Sequence, residues 1–176
     1  MANEITIRQA TPADFKTIDA IARKTWHVAY SAILTHEQLE YMLDLFYCES
    51  ALTEDVDQKN HRYYLALYQD VIVGFMGFEP NYLPQTTKVH KLYILPQYQR
   101  QNIGKQLLDF VSQLTLQAGG NSLTLNVNRY NSAKLFYEKY GFTVLKSEDI
   151  VLNFGYVMED YVLLKSLSQF QSQMCR

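Results

Sequence analysis

The chain has 176 residues, 48% of them hydrophobic and 19% charged, with a formal net charge of −2; that is enough for one well-buried core and short for two, so one domain over residues 1–176 is expected. No run of Lys or Arg forms a basic stripe, which argues against nucleic acid as a partner, and no stretch nears the roughly 20 apolar residues that cross a bilayer, which argues against membrane insertion. The opening segment has neither the basic start nor the apolar run of a secretory signal, so a cytoplasmic location is expected, with Cys48 and Cys175 as reduced thiols.

The segment EITIRQA alternates as a first strand, and TPADFKTIDAIARKTWHVAY follows with Pro12 near a helix start. A second helix begins at THEQLEYMLDLF, where Thr35 and Gln38 have capping-box spacing and Leu39, Met42, Leu43 and Phe46 form an apolar face. From HRYYLALY the period changes to that of strands. The dipeptide Gln69-Asp70 separates this run from VIVGFMGFE, which predicts a hairpin. A third strand, KVHKLYIL, ends at Pro96. A helix from about 103 to 118, a GGN break, the strand SLTLNV and the short helix NSAKLFYEKY follow, stopped at Gly141-Phe142. Two strand-like runs, 143–152 and 156–164, complete a mixed α/β layer with helices on both faces.

The turn QRQNIGKQ, between the third strand and the following helix, has the form of an anion seat. A helix N-terminus leaves its first N–H groups unpaired and carries partial positive charge, which suits phosphate oxygens. Gly104 keeps the approach to the backbone open, Asn102 stands where a residue of positive φ would serve, and Arg100 and Lys105 add positive charge. Read alone, the same residues equally describe a capped helix packed closely on a sheet.

A second segment, LNVNRYNSAKLFYEKYGF, carries Asn131, Ala133, Phe136-Tyr137 and Gly141-Phe142 in that order. Together with YILPQYQRQNIG, it resembles the GNAT superfamily of acyl-CoA N-acyltransferases, whose Q/R-x-x-G-x-G/A turn is matched from Gln99 to Gly104 with Asn102 in place of a glycine. TWHVAYSAIL, EQLEYML and HKLYILPQYQRQNIGKQLL are similar, within that superfamily, to PaiA-like polyamine acetyltransferases. The resemblance implies a mostly antiparallel central sheet of about six to seven strands flanked by helices on both faces. It implies acetyl-CoA as co-substrate: the backbone of Leu92, Tyr93 and Ile94 on the pantetheine arm, and Gln99, Arg100, Gln101, Asn102, Ile103, Gly104 and Lys105 around the pyrophosphate. Asn131, with Ala133 and Phe136 beside it, would touch the coenzyme, and the Tyr137 hydroxyl would lie beside the thioester sulfur.

An alkylamine of pKa near 10.4 is neutral only about one part in two thousand at pH 7, so transfer to an amine needs a proton acceptor. His90, six residues before Pro96 and in a place where many family members carry glutamate, is the first candidate, and Glu79 at the end of the preceding strand is the second. Tyr137 is the candidate acid for the departing thiolate. Neither cysteine lies near the motifs, so direct attack in a ternary complex is expected rather than a covalent acyl-enzyme. The histidines at 27, 36, 61 and 90 show no metal-binding spacing, and no metal is expected.

The first two helices present Trp26, His27, Tyr30, Glu37, Glu40, Tyr41 and Asp44. In this class they wall the acceptor side, and aromatics with carboxylates suit a cationic amine. A polyamine or similar small-molecule amine is the expected substrate, with a peptide or protein amine, or a non-catalytic acetyl-CoA sensor, as alternatives. The C-terminal strands and the surplus of 14 tyrosines suit a homodimer.

Overall fold

The computed structural model describes residues 5–167. In chain order these form β1 (Thr6–Gln9), α1 (Phe15–Tyr30), α2 (His36–Tyr47), α3 (Glu49–Asp57), β2 (Arg62–Tyr68), β3 (Val71–Leu83), β4 (Thr86–Ile94), α4 (Ile103–Gln117), β5 (Ser122–Asn128), α5 (Ala133–Tyr140), β6 (Thr143–Val151) and β7 (Val157–Ser166). The seven strands make one sheet in the order β1-β2-β3-β4-β5-β7-β6, antiparallel everywhere except between β4 and β5.

Alternation along the strands splits the apolar residues between two cores. Leu65 and Phe75 face the first three helices, with Phe15, Ile18, Trp26, Leu43 and Leu52 above them. On the other face Met76, Phe78, Leu123, Leu125 and Val127 meet Leu107, Leu108 and Val111 of α4, Tyr137 of α5, and Phe142. Each face is closed by helices because neither could leave that much apolar surface in water.

The turn between β2 and β3 holds both Gln69 and Asp70 at positive φ, 49° and 64°, as expected for a two-residue hairpin whose twist must match its strands. Thr35 caps α2 by accepting from the Gln38 amide at 3.2 Å. The Gln38 side chain turns instead to the Met42 sulfur and the Val157 carbonyl, so the reciprocal half of the capping box is not made. The sequence reading passed over α3, a short helix whose buried Leu52 and Asp55 are its anchors. Cys48 is a free thiol at the junction of α2 and α3; Cys175 lies outside the described residues.

Two irregularities shape the middle of the sheet. β4 pairs with β5 only from Thr86↔Ser122 to Val89↔Leu125, although both strands continue, so they part like a wedge from His90 and Asn126 onward. Between β3 and β4 the register runs Phe78↔Val89 and then Gly77↔Lys91, which makes His90 the extra residue of a β-bulge. A bulge turns the chain by one residue, so consecutive side chains escape the usual alternation: Val89 joins the core under α4, whereas His90 and Lys91 both line the opposite side.

Candidate active site

A cavity of about 780 Å³ opens on that opposite side, between the sheet and the first three helices. Its walls are Trp26 and Tyr30 of α1, Asp55 of α3, His61 ahead of β2, Glu79 of β3, His90 and Lys91 of β4, Asn126 and Asn128 of β5, and Asp160 of β7.

At its centre His90 Nε2 and Glu79 Oε2 are hydrogen-bonded at 2.9 Å, so the two candidate bases form one dyad. His61 stacks on His90 with ring centroids 4.1 Å apart and 23° between planes. Burial, reinforced by the neighbouring His61, Lys88 and Lys91, pushes the His90 imidazole down to about 3, so it is neutral at neutral pH and has a ring nitrogen lone pair but weak basicity. Next to the dyad lies a buried ion pair. Lys91 Nζ donates to Asp55 Oδ2 at 2.7 Å, to the Phe46 carbonyl at 2.9 Å and to the Tyr63 hydroxyl, which in turn donates to Asp55 at 2.7 Å. Burial pulls Lys91 down and Asp55 up, but contacts with His61, Lys91 and Tyr63 outweigh it at Asp55 and hold that carboxyl far below its ordinary range. With three acceptors around Nζ, the pair is charged.

His61, Glu79 and His90 offer ligand atoms that all lie within 4.8 Å of one another, a set that could hold a metal ion. Near-parallel stacked rings, however, aim their in-plane lone pairs side by side, whereas an ion at ~2.1 Å from two nitrogens needs them to converge. A ring would have to rotate first, and the arrangement as it stands suits proton handling better.

The predicted acceptor-side residues divide. Trp26 and Tyr30 line the cavity and stack on each other, 4.7 Å between centroids. His27 does not reach it: it sits on the outer face of α1, paired with Glu40 at 2.9 Å. Glu40 and Asp44 are also taken by Arg23, at 3.3 and 2.6 Å. Tyr41 packs on Phe154 and Tyr156 instead, because the segment between β6 and β7 folds over it. Two acids of the α2 face that looked free in the sequence are therefore engaged by Arg23 of α1. The acids in the cavity come from elsewhere: Glu54, Asp55, Glu79 and Asp160. Asp55, His61, Lys91 and Asp160 were not singled out in the sequence. The period-two run from His61 through Tyr63 and Leu65 would have put His61 on the same face as the core beneath α1; the bulge that brings Lys91 beside His90 leaves no mark in the sequence.

Beyond the wedge, the turn before α4 holds Arg100 and Asn102 at positive φ, 61° and 66°. Asn102 is the α4 N-cap in the left-handed region, and Ile103, Gly104 and Lys105 form the first turn, where amides lack intrahelical acceptors. The Gln99 side chain folds back onto the Ile94 carbonyl at 3.1 Å, and Lys105 pairs with Asp109 at 2.7 Å. A Cβ on Gly104 would come within 3.1 Å of the Phe136 ring; the glycine thus lets α4 pass close over α5, whatever else it admits. Asn131 accepts from the Ala133 amide at 2.9 Å, capping α5, and donates to the Tyr30 hydroxyl at 3.1 Å, tying the second motif to the cavity wall. Tyr137 is buried, 5.9 Å from Phe142 between ring centroids. Burial and the neighbouring Tyr30 push its phenol upward, and its hydroxyl has no hydrogen-bond partner among the described residues.

The family model for the GNAT acetyltransferase domain matches residues 31–157. The chain belongs to the GNAT acetyltransferases. Among GNAT relatives it is 28% identical over 145 residues to the spermidine N(1)-acetyltransferase of Thermoplasma acidophilum, covering 80% of this chain and 89% of that one. It is 28% identical over 142 residues to the uncharacterized N-acetyltransferase YuaI of Bacillus subtilis, covering 77% and 79%. The crystal structure of PaiA N-acetyltransferase from Thermoplasma acidophilum in complex with coenzyme A superposes with a TM-score of 0.76 at 24% identity, over 93% of this chain and 99% of that one. A GNAT structure from Rhodopseudomonas palustris gives 0.80 at 21%, over 95% and 98%. The mixed, mostly antiparallel GNAT sheet expected from the motifs is the one found. The chain is an acetyl-CoA-dependent N-acetyltransferase, and no helix among the described residues is long and apolar enough to cross a membrane.

Proposed function

We propose that the acceptor is a polyamine or another small primary amine, attacked in a ternary complex with His90 as the base, Glu79 as its partner and Tyr137 as the acid. The observation that carries this reading is the His90–Glu79 dyad inside the cavity where β4 and β5 part. The residues around the wedge fit acetyl-CoA. The edge of β4 from His90 to Ile94 has no strand partner on the β5 side, which leaves Leu92, Tyr93 and Ile94 able to pair with an extended pantetheine arm. The turn of Gln99, Arg100, Gln101 and Asn102 and the first α4 amides suit the pyrophosphate. When bound, acetyl-CoA supplies an activated acetyl thioester.

The chain's own groups manage protons. The neutral His90 imidazole takes the proton that the acceptor ammonium must lose, and the Glu79 carboxylate, hydrogen-bonded to the ring, stabilises the imidazolium formed. Burial makes His90 a weak base even beside Glu79, so it carries the proton only transiently. The Tyr137 phenol keeps its proton at working pH and, with no competing acceptor, can donate to the sulfur as charge develops there. Trp26 and Tyr30 offer aromatic faces to a cation. The relative named as a spermidine N(1)-acetyltransferase supports a polyamine at modest identity.

The test is thiol release from acetyl-CoA against polyamines, arylalkylamines, amino acids and short peptides, with wild type beside Tyr137→Phe. Release with polyamines, reduced about 10²-fold or more in kcat in the variant with coenzyme affinity retained, is expected. Release with peptides and none with polyamines would overturn the substrate, and unchanged turnover in Tyr137→Phe would overturn the acid.

A further inference from the structure

The carboxylates of the cavity are not equivalent. Asp55 is paired with Lys91 and Glu54 with Lys59 at 3.0 Å, while Glu79 is hydrogen-bonded to the neutral His90 ring. Asp160 is 3% exposed, lines the same cavity and has no cation within 4 Å among the described residues; its one side-chain donor is Asn126 Nδ2 at 3.3 Å. Nearby cations are engaged elsewhere: Lys88 lies over the Tyr82 ring, Lys146 pairs with Glu148, and Arg129 pairs with Asp149 and Glu159. Burying a carboxylate without a counter-charge is costly, so such groups are ordinarily paired. Burial, with the nearby Glu148, pushes the Asp160 carboxyl upward against the hydrogen bond from Asn126, as expected of a carboxylate that lacks a cation, and Tyr30 on the opposite wall is near enough to be raised by it.

We propose that Asp160 is the anchor for a second ammonium of the acceptor, so that the site selects amines carrying two cationic nitrogens. This rests on the reading of His90 and Glu79 as the reacting end. The register gives the separation. Val89 aligns with Leu125 and Leu125 with Leu163, while Asp160 lies opposite Asn128, so His90 and Asp160 are two strands apart and offset by two residues along them. Paired-strand spacings of ~4.8 Å and a rise of ~3.3 Å would put their backbones about 12 Å apart, and the parting of β4 from β5 adds to that. Both side chains line the same cavity, so the two nitrogens would be joined by an aliphatic spacer that runs along it. The nitrogen beside His90 loses its proton and reacts; the other remains an ammonium between Asp160 and the ring of Tyr30, where charge and aromatic face act together.

The experiment compares wild type, Asp160→Asn and Asp160→Glu with two acceptor series, straight-chain diamines of graded chain length and monoamines of the same chain lengths, reading KM and kcat for acetylation and, separately, equilibrium binding by calorimetry. The Asn variant keeps the shape and the hydrogen bond to Asn126, and circular dichroism checks its fold. Wild type is expected to favour diamines over monoamines about 10-fold or more in kcat/KM, mostly through KM, with the ratio falling to about one in Asp160→Asn and partly restored in Asp160→Glu. An undiminished ratio in Asp160→Asn, or no diamine preference in wild type, would overturn the anchor while leaving the amine reaction standing. Diamine binding that depends on Asp160 without acetylation would leave the anchor standing and overturn the reaction.

Discussion

Lys91→Met removes the cation from a buried carboxylate while keeping a long apolar stem in its channel. In the wild type both side chains of the pair are 9% exposed, and the ammonium is saturated by Asp55, Tyr63 and the Phe46 carbonyl. Breaking such a pair from one side costs about 3–5 kcal/mol. Here Tyr63 still donates to Asp55, and Lys59 stays 3.4 Å from its other oxygen, so the lower end, about 3 kcal/mol, is expected. For a chain of this size that lowers Tm by about 6–12 °C. The assay is urea unfolding at pH 7 with an unchanged m-value, repeated toward acid. Because Asp55 is held below its ordinary range, its contribution is fully present above an ordinary carboxylate pKa of about 3.9 and is lost as pH falls below that. The gap between wild type and Lys91→Met should therefore narrow in acid. Asp55→Asn added to Lys91→Met should recover about 1–2 kcal/mol, since no unpaired charge then remains. A cost under about 1 kcal/mol at pH 7, or a double variant no better than the single one, would refute the charged pair.

Two further outcomes follow from the same geometry. His90 is pushed down to about 3 by burial first and by His61, Lys88 and Lys91 next; a folded value below the ordinary 6.5 means stability that is full above about 6.5 and declines as pH falls toward 3. Melting temperature should drop less steeply through that window in His90→Gln than in wild type, and parallel curves would show that His90 titrates normally. At the turn, Asn102 has φ 66°, so Asn102→Ala should cost about 1–2 kcal/mol and Asn102→Gly close to none; equal losses in urea unfolding would show that the left-handed conformation is not the constraint.

Much of the architecture was legible in the chain because its signals are local. Gln69-Asp70 between two β-rich runs gave the hairpin, Thr35 the start of α2, and the GGN break the end of α4. The two motifs, QRQNIG and the stretch from Asn131 to Phe142, place the chain among GNAT acetyltransferases because they need only short-range order. The short helix α3 escaped, since nine residues with two buried anchors leave little periodicity to read.

The cavity is another matter. His61, Glu79 and His90 are distant in sequence and meet only because β2, β3 and β4 lie side by side and a bulge turns His90 and Lys91 to the same side. The acids of α2 looked like a site for a cation until Arg23 from the neighbouring helix took Glu40 and Asp44. Asp160, an ordinary strand residue in sequence, is buried in the cavity with no cation within 4 Å among the described residues. Motifs record what the backbone does within a few residues, so the sequence by itself determined the family and the left-handed turn that opens α4. Which charges are answered, and which still await a partner, depends on side chains from separate strands and helices and was decided only by the tertiary structure.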